Sequence, residues 1–287
     1  MPYAAEISRT NPTCIVLVLD QSASMADRFS GATGEGVTKA GLLADVLNRS
    51  LMELVTACRK PEGILDYFYV GVLSYAGNEV RPALGGALAG VHISPVSALG
   101  RSPMRVETRR KQVPDGAGGL VETEVRFPVW FDPAASGNTP MCQGLETAAE
   151  MVAEWCEKYP RSFPPTVLHV TDGEATDGDE AAVEAAAGRI TARGTDDGTV
   201  LLLNLHVSGE GGTPIRFPTE EKALPDSYAR MLFRMSSVLP EEFRRRGEEA
   251  QMQLAPGCRG YVYNAGIEDV VRFFRIGTRP RLAAADR

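Results

Sequence analysis

Asp20, Ser22 and Ser24 are the residues whose types and spacing most plainly suit chemistry. They alternate in Asp20-Gln21-Ser22-Ala23-Ser24, one acid and two hydroxyls, and all three donate only oxygen. Oxygen is the ligand that hard divalent cations such as Mg²⁺ prefer. Directly before them runs Cys14-Ile15-Val16-Leu17-Val18-Leu19, apolar and without helical period. Such a run predicts a strand buried on both faces, as in a parallel sheet. Open parallel sheets bind ligands at the carboxyl ends of their strands, where these oxygens sit. The same residue types also cap helices and form turns, so this motif alone does not decide between a cation and a turn.

The motif resembles the metal-ion-dependent adhesion site of von Willebrand factor type A (VWA) domains, and two later stretches extend the likeness in the family's order. Gly137-Asn138-Thr139-Pro140-Met141 is similar to the family's threonine loop. Val167-Leu168-His169-Val170-Thr171-Asp172-Gly173 is similar to its central strand and Thr-Asp-Gly loop. The likeness runs from Asn11 to Ile276 and implies a Mg²⁺ or Mn²⁺ site built from Asp20, Ser22, Ser24, Thr139 and Asp172. In that scheme the hydroxyls bind directly, and at least one carboxylate binds through water. Two carboxylates against one dication leave the site near neutral, so a Glu or Asp of a protein partner can complete the shell. The implied function is a divalent-cation-dependent protein-interaction module with no catalytic activity of its own. Soluble bacterial proteins that resemble this chain often act beside a kinase and phosphatase, or beside an AAA-type ATPase. A partner of that kind is expected by analogy only.

The alternative from another class is a metal-dependent phosphohydrolase using Asp20 and Asp172. Phosphatases of the haloacid-dehalogenase type also place an Asp after the first strand, but need a second acid two residues on, where this chain has Ser22. Neither a Gly-x-x-x-x-Gly-Lys loop nor a Gly-x-Gly-x-x-Gly fingerprint occurs. Of His92, His169 and His206, the last two fall inside apolar strand patterns, which favours core or strand-end roles. Asp177, Asp179 and Glu180 could form a second cation site, although a solvated acidic helix start accounts for them better.

Positioning these residues requires strands that alternate with helices. Helical spacing covers Val37 to Arg59, with Leu43, Val46, Leu47 and Leu51 on one face. Strands are predicted at Tyr67 to Tyr75, Thr166 to Thr171, Thr199 to Val207 and Gly260 to Tyr263. Further helices are predicted at Met141 to Tyr159, Glu180 to Arg193, Ser227 to Ser237, Glu241 to Gln253 and Ile267 to Ile276. The alternation implies an α/β fold with a doubly wound, mainly parallel sheet. We expect a single domain over 1–287, with its core over about 11–276 and a β-hairpin insertion over about 100–132. The hairpin, Val106 to Val113 and Leu120 to Val129 around a Gly-rich turn, should lean on the rim of the site. It reads equally as a partner-selecting lid or as an edge extension of the sheet.

Composition narrows the partners. The 287 residues carry 30 basic and 37 acidic side chains, a formal charge of −7, which argues against a nucleic-acid surface. The basic runs Arg109-Arg110-Lys111 and Arg244-Arg245-Arg246 are short and read as solvated faces. The polar N-terminus lacks a signal peptide's apolar core, and no apolar run approaches the ~20 residues that span a bilayer. Five scattered cysteines with no Cys-x-x-Cys pair predict reduced thiols in a cytoplasmic protein, with no membrane partner.

Overall fold

The structure is a computed structural model and describes residues 3–29, 36–114, 119–208, 212–249, 252 and 254–278. The tip of the expected hairpin turn (115–118), much of the Gly-rich loop (30–35) and the tail (282–287) lie outside the described residues.

The first strand, β1 (Thr13–Asp20), is buried along its whole length. Ile15, Leu17 and Leu19 enter one apolar core, whereas Cys14, Val16 and Val18 enter a second. This explains the unbroken apolar run: successive side chains point to opposite faces, and both faces are covered. Each such side chain contributes roughly 1.5–3 kcal/mol by leaving water.

Helix α1 (Lys39–Ala57) follows, capped by Thr38, whose hydroxyl accepts from the Gly41 N–H at 3.0 Å. Next come β2 (Phe68–Ala76), β3 (Glu79–Pro82) and the short helix α2 (Val96–Arg101). The hairpin strands are β4 (Arg105–Pro114) and β5 (Leu120–Val129). Beyond them lie α3 (Met141–Lys158), β6 (Thr166–Thr171), α4 (Glu180–Thr191), β7 (Leu201–Val207) and β8 (Ile215–Arg216). The chain continues through α5 (Ser227–Met235), α6 (Glu241–Glu249), β9 (Tyr261–Ala265) and α7 (Ile267–Thr278).

The central sheet has the order β8-β9-β7-β6-β1-β2-β3. The strands β9, β7, β6, β1 and β2 run parallel. The edge strands β3 and β8, and the two-residue Ser94–Pro95 strand on β2, are antiparallel. Helices α1 and α7 cover one face, while α3, α4 and α5 cover the other. The expected doubly wound, mainly parallel sheet is present. The pattern missed α2 and β8, which are too short for either period to register.

In the hairpin, β4 and β5 form ten register pairs and make their own two-stranded sheet. Its base joins the core: Phe127, Val129, Trp130 and Phe131 are all buried. Buried Asn48 on α1 anchors that base. Its Oδ1 accepts from the Trp130 and Phe131 N–H groups at 2.8 and 3.1 Å, and its Nδ2 donates to the Phe131 and Ala44 carbonyls, each at 2.8 Å. Toward the tip, Val121 and Val125 are 46% and 36% exposed. The insertion is thus part core, part projection.

Candidate functional site

Three loops meet at the carboxyl edge of the sheet, and backbone hydrogen bonds tie them together. From the loop after β1, the Ala23 N–H donates to the Gly137 carbonyl at 3.0 Å, and the Gln21 carbonyl accepts from Ser136 at 2.8 Å. The turn between β2 and β3 joins them where the Gly77 N–H donates to the Asn138 carbonyl at 3.0 Å. Gly137 has φ +65°, and a Cβ there would lie 2.7 Å from the Gly77 Cα, so only glycine allows this approach. The loop after β6 closes the ring: Thr139 N–H donates to the Thr176 hydroxyl, and the Thr176 N–H to the Thr139 carbonyl, both at 3.0 Å.

Within this frame Asp20, Ser22, Ser24 and Asp172 form one connected cluster. The Asp20 carboxylate is wholly buried; Oδ1 accepts from the Ser22 N–H at 2.8 Å and Oδ2 from the Thr171 hydroxyl at 2.9 Å. Ser22 Oγ lies 3.1 Å from Ser24 Oγ, which donates to Asp172 Oδ1 at 2.7 Å. Burial pushes the Asp20 carboxyl up to about 6; the Asp172 charge adds to this, while hydrogen bonds from Ser22 and Thr171 oppose it. Thr139 is buried in the adjoining loop, but its hydroxyl makes no hydrogen bond to these four or to other described residues. Of the five expected ligands, four touch one another through hydrogen bonds and the fifth is held beside them by its backbone.

The donor set suits a hard cation by its chemistry: two carboxylates and three hydroxyls, with no sulfur or imidazole among them. Among the described residues, no group of three or more His, Cys, Asp and Glu side chains is arranged to hold a metal ion. Any cation at this edge would therefore depend on the hydroxyls.

Lys39 is the residue that sequence reasoning missed. Its ammonium donates to Asp172 Oδ2 at 2.7 Å, to the Ser24 carbonyl at 3.3 Å and to Asp27 Oδ2 at 3.5 Å. The Lys39 side chain is 6% exposed and that of Asp172 is 0% exposed, although the Asp172 backbone reaches solvent. The near-neutral balance expected for two carboxylates and a dication thus omits a third charge. The available signal was a lysine directly after the Thr38 cap, at the helix end where a positive charge is unfavourable.

The acids downstream have structural roles. Asp177 accepts from the Cys142 and Gln143 N–H groups at 3.0 and 2.9 Å, closing the start of α3, and Asp179 caps α4 through Ala182 at 2.9 Å. His169 is fully buried between Tyr75 and Asn204. His206 is the penultimate residue of β7, stacked on Tyr263 with ring centroids 4.7 Å apart. His169 and His206 thus have the expected core and strand-end positions. All five cysteines are free and buried. No helix among the described residues is long and apolar enough to cross a membrane.

No family model matches the chain, and no curated protein does. Solved structures similar to it include the manganese-loaded TRAP protein of Plasmodium vivax, with TM-score 0.43, 12% identity, and coverage of 93% of this chain and 74% of that one. The PilB minor pilin of Streptococcus sanguinis, as its D319A mutant, has TM-score 0.49 and 10% identity over 92% of this chain and 60% of that one. A von Willebrand factor type A protein from Catenulispora acidiphila has TM-score 0.35 and 12% identity over 69% of this chain and 34% of that one. In this chain the Asp-x-Ser-x-Ser turn, the threonine loop and the Thr-Asp-Gly turn meet at one carboxyl edge of a doubly wound, mainly parallel sheet.

Proposed function

We propose that the chain is a cytoplasmic protein-interaction module that binds Mg²⁺ or Mn²⁺ through Asp20, Ser22, Ser24, Thr139 and Asp172, and through that cation a carboxylate of a protein partner. The observation that carries this reading is the hydrogen-bonded cluster Ser22–Ser24–Asp172 beside a buried Asp20, reached from sequence positions some 150 residues apart. Bound there, the cation would supply Lewis acidity toward an anionic oxygen. The Ser22, Ser24 and Thr139 hydroxyls would offer it neutral oxygens. Both Asp20 oxygens already accept hydrogen bonds, from Ser22 and Thr171, which favours contact through water for this residue. The Thr139 hydroxyl, free of hydrogen bonds to described residues, is available to bind when a partner arrives. A kinase, a phosphatase or an AAA-type ATPase is the kind of partner the family analogy suggests.

Calorimetry with Mn²⁺ tests the assignment. Asp20→Ala combined with Asp172→Ala should abolish the binding heat without unfolding the protein, because the sheet is closed by its own cores. Undiminished affinity in that variant would sink the site. Thr139→Ala should weaken capture of an acidic partner more than it weakens Mn²⁺ binding; equal losses would remove the switching role of Thr139. Phosphate release from a generic phosphoester, lost in Asp20→Ala, would instead favour a phosphohydrolase.

A further inference from the structure

Lys39 holds a place in the cluster that ligand chemistry does not explain. An ammonium is not a cation ligand, yet it occupies one of the two Asp172 oxygens at 2.7 Å, and Ser24 occupies the other. A buried positive charge is costly unless paired, and its partner here has no exposed side-chain surface. Local structure works against it too. Lys39 is the first residue of α1, where the unsatisfied N–H groups already carry partial positive charge. Capping is supplied by Thr38 and needs nothing from Lys39. What repays these costs is the negative charge of Asp172 at 2.7 Å, with Asp27 next at 3.5 Å.

From this geometry we infer that Lys39 is the built-in counter-ion of the cluster and the intramolecular competitor of the divalent cation. In the cation-free protein its ammonium neutralises Asp172 and keeps the β1 and β6 loops assembled. Cation entry requires that Asp172 be shared or given up. Asp27 is 68% exposed and 3.5 Å from the ammonium, and offers the charge toward which Lys39 can turn. The competitor role rests on the cation reading given above; the counter-ion role does not.

Two measurements on the full chain test it. Mn²⁺ calorimetry should show Lys39→Met binding about tenfold or more tightly than wild type, since a like charge beside the cation is gone. Lys39→Arg, which keeps the charge, should stay near wild type. In EDTA, Lys39→Met should melt below wild type and regain the difference when Mn²⁺ is added. Equal or weaker Mn²⁺ binding by folded Lys39→Met would overturn the competitor role. If neither wild type nor Lys39→Met binds Mn²⁺, the cation reading fails, and a double-mutant cycle in EDTA judges the counter-ion alone. Lys39→Met should then destabilise wild type but not Asp172→Asn; equal losses in both would overturn it. Should Lys39→Met fail to fold even with Mn²⁺, the paired variant Lys39→Met with Asp172→Asn should fold. Failure of that pair would assign Lys39 to packing and end the proposal.

Discussion

Two sets of polar side chains cross the same sheet, and they solve opposite problems. Inside the sheet, Tyr75 of β2, His169 of β6 and Asn204 of β7 form a chain with Ser236 beyond α5. Every member points to a mate. The Tyr75 hydroxyl donates to His169 Nε2 at 2.9 Å, and His169 Nδ1–H donates to Asn204 Oδ1 at 2.8 Å. Asn204 Nδ2 donates to Ser236 Oγ at 2.8 Å, which donates to the Leu232 carbonyl at 2.6 Å. The terminal carbonyl fixes all the proton positions, because it can only accept. At the carboxyl edge, by contrast, Asp20, Asp172 and Lys39 bring net charge, and the Thr139 hydroxyl has no mate among the described residues. A neutral, fully satisfied network specifies a fold; a charged one with an idle oxygen is what the proposed cation binding would use.

The largest effect that would break this comparison is on stability. Asn204→Leu keeps the side-chain size but strands the His169 N–H in a buried site, so it should cost about 1–3 kcal/mol. Chemical denaturation would read that loss, while Mn²⁺ affinity should stay within about twofold, as distant sites are nearly independent. A matching loss of Mn²⁺ affinity would mean that the two networks act as one.

The next effect is pH dependence, in which the two sets have opposite signs. Burial lowers His169 from 6.5 to about 4, so its contribution is complete above 6.5 and is lost as pH falls toward 4. Burial raises Asp20 from 3.8 to about 6, so its contribution is complete below 3.8 and is lost as pH rises through 6. In the cation-free protein the two slopes oppose each other between pH 4 and 6. Removing Asp20 as Asp20→Asn should leave stability rising with pH across that window. Removing the imidazole as His169→Gln should leave it falling. Melting curves across that range check both signs. Cation affinity should itself weaken as pH drops below about 6, because the site needs Asp20 ionised.

The smallest effect belongs to the hairpin. Replacing Arg105 to Arg126 by a short Gly-Ser turn leaves Phe127 to Phe131 and their Asn48 anchor in place. It removes the Arg109 guanidinium that lies 3.5 Å over the Phe127 ring and pairs with Asp45, and the Arg105 pair with Asp132 at 2.7 Å. These are partly exposed contacts of modest worth. The Mn²⁺ constant should therefore be unchanged, and capture of a native partner should fall if the projection selects partners. An unchanged captured set would make the hairpin an extension of the fold only.

What the sequence determined by itself is what local periodicity can carry. The apolar run of β1 announced a strand covered on both sides, because its shortness, its β-branched residues and the polar turn that ends it suit a buried strand better than a buried helix. Alternation from Leu120 to Val129 announced the hairpin, and the expected strand ends match to within one residue at all four termini. The Asp20-x-Ser22-x-Ser24 turn was legible as an oxygen cluster at a strand's carboxyl end. The tertiary structure alone decided which loops meet and with what charge. Lys39 reads locally as the first residue of an ordinary helix, and its partner lies 133 positions away. His169 and Asn204 read as polar breaks in apolar strands until the parallel register of β6 and β7 sets them side by side. Asp177 and Asp179 read as an acidic helix start more readily than as ligands, and only the fold shows which helices, α3 and α4, take their oxygens. Each outcome turns on a contact between segments far apart in the chain. A short-range pattern constrains only which face a side chain occupies, whereas the pairing of charges depends on sheet order and register, which the whole set of packed faces determines together.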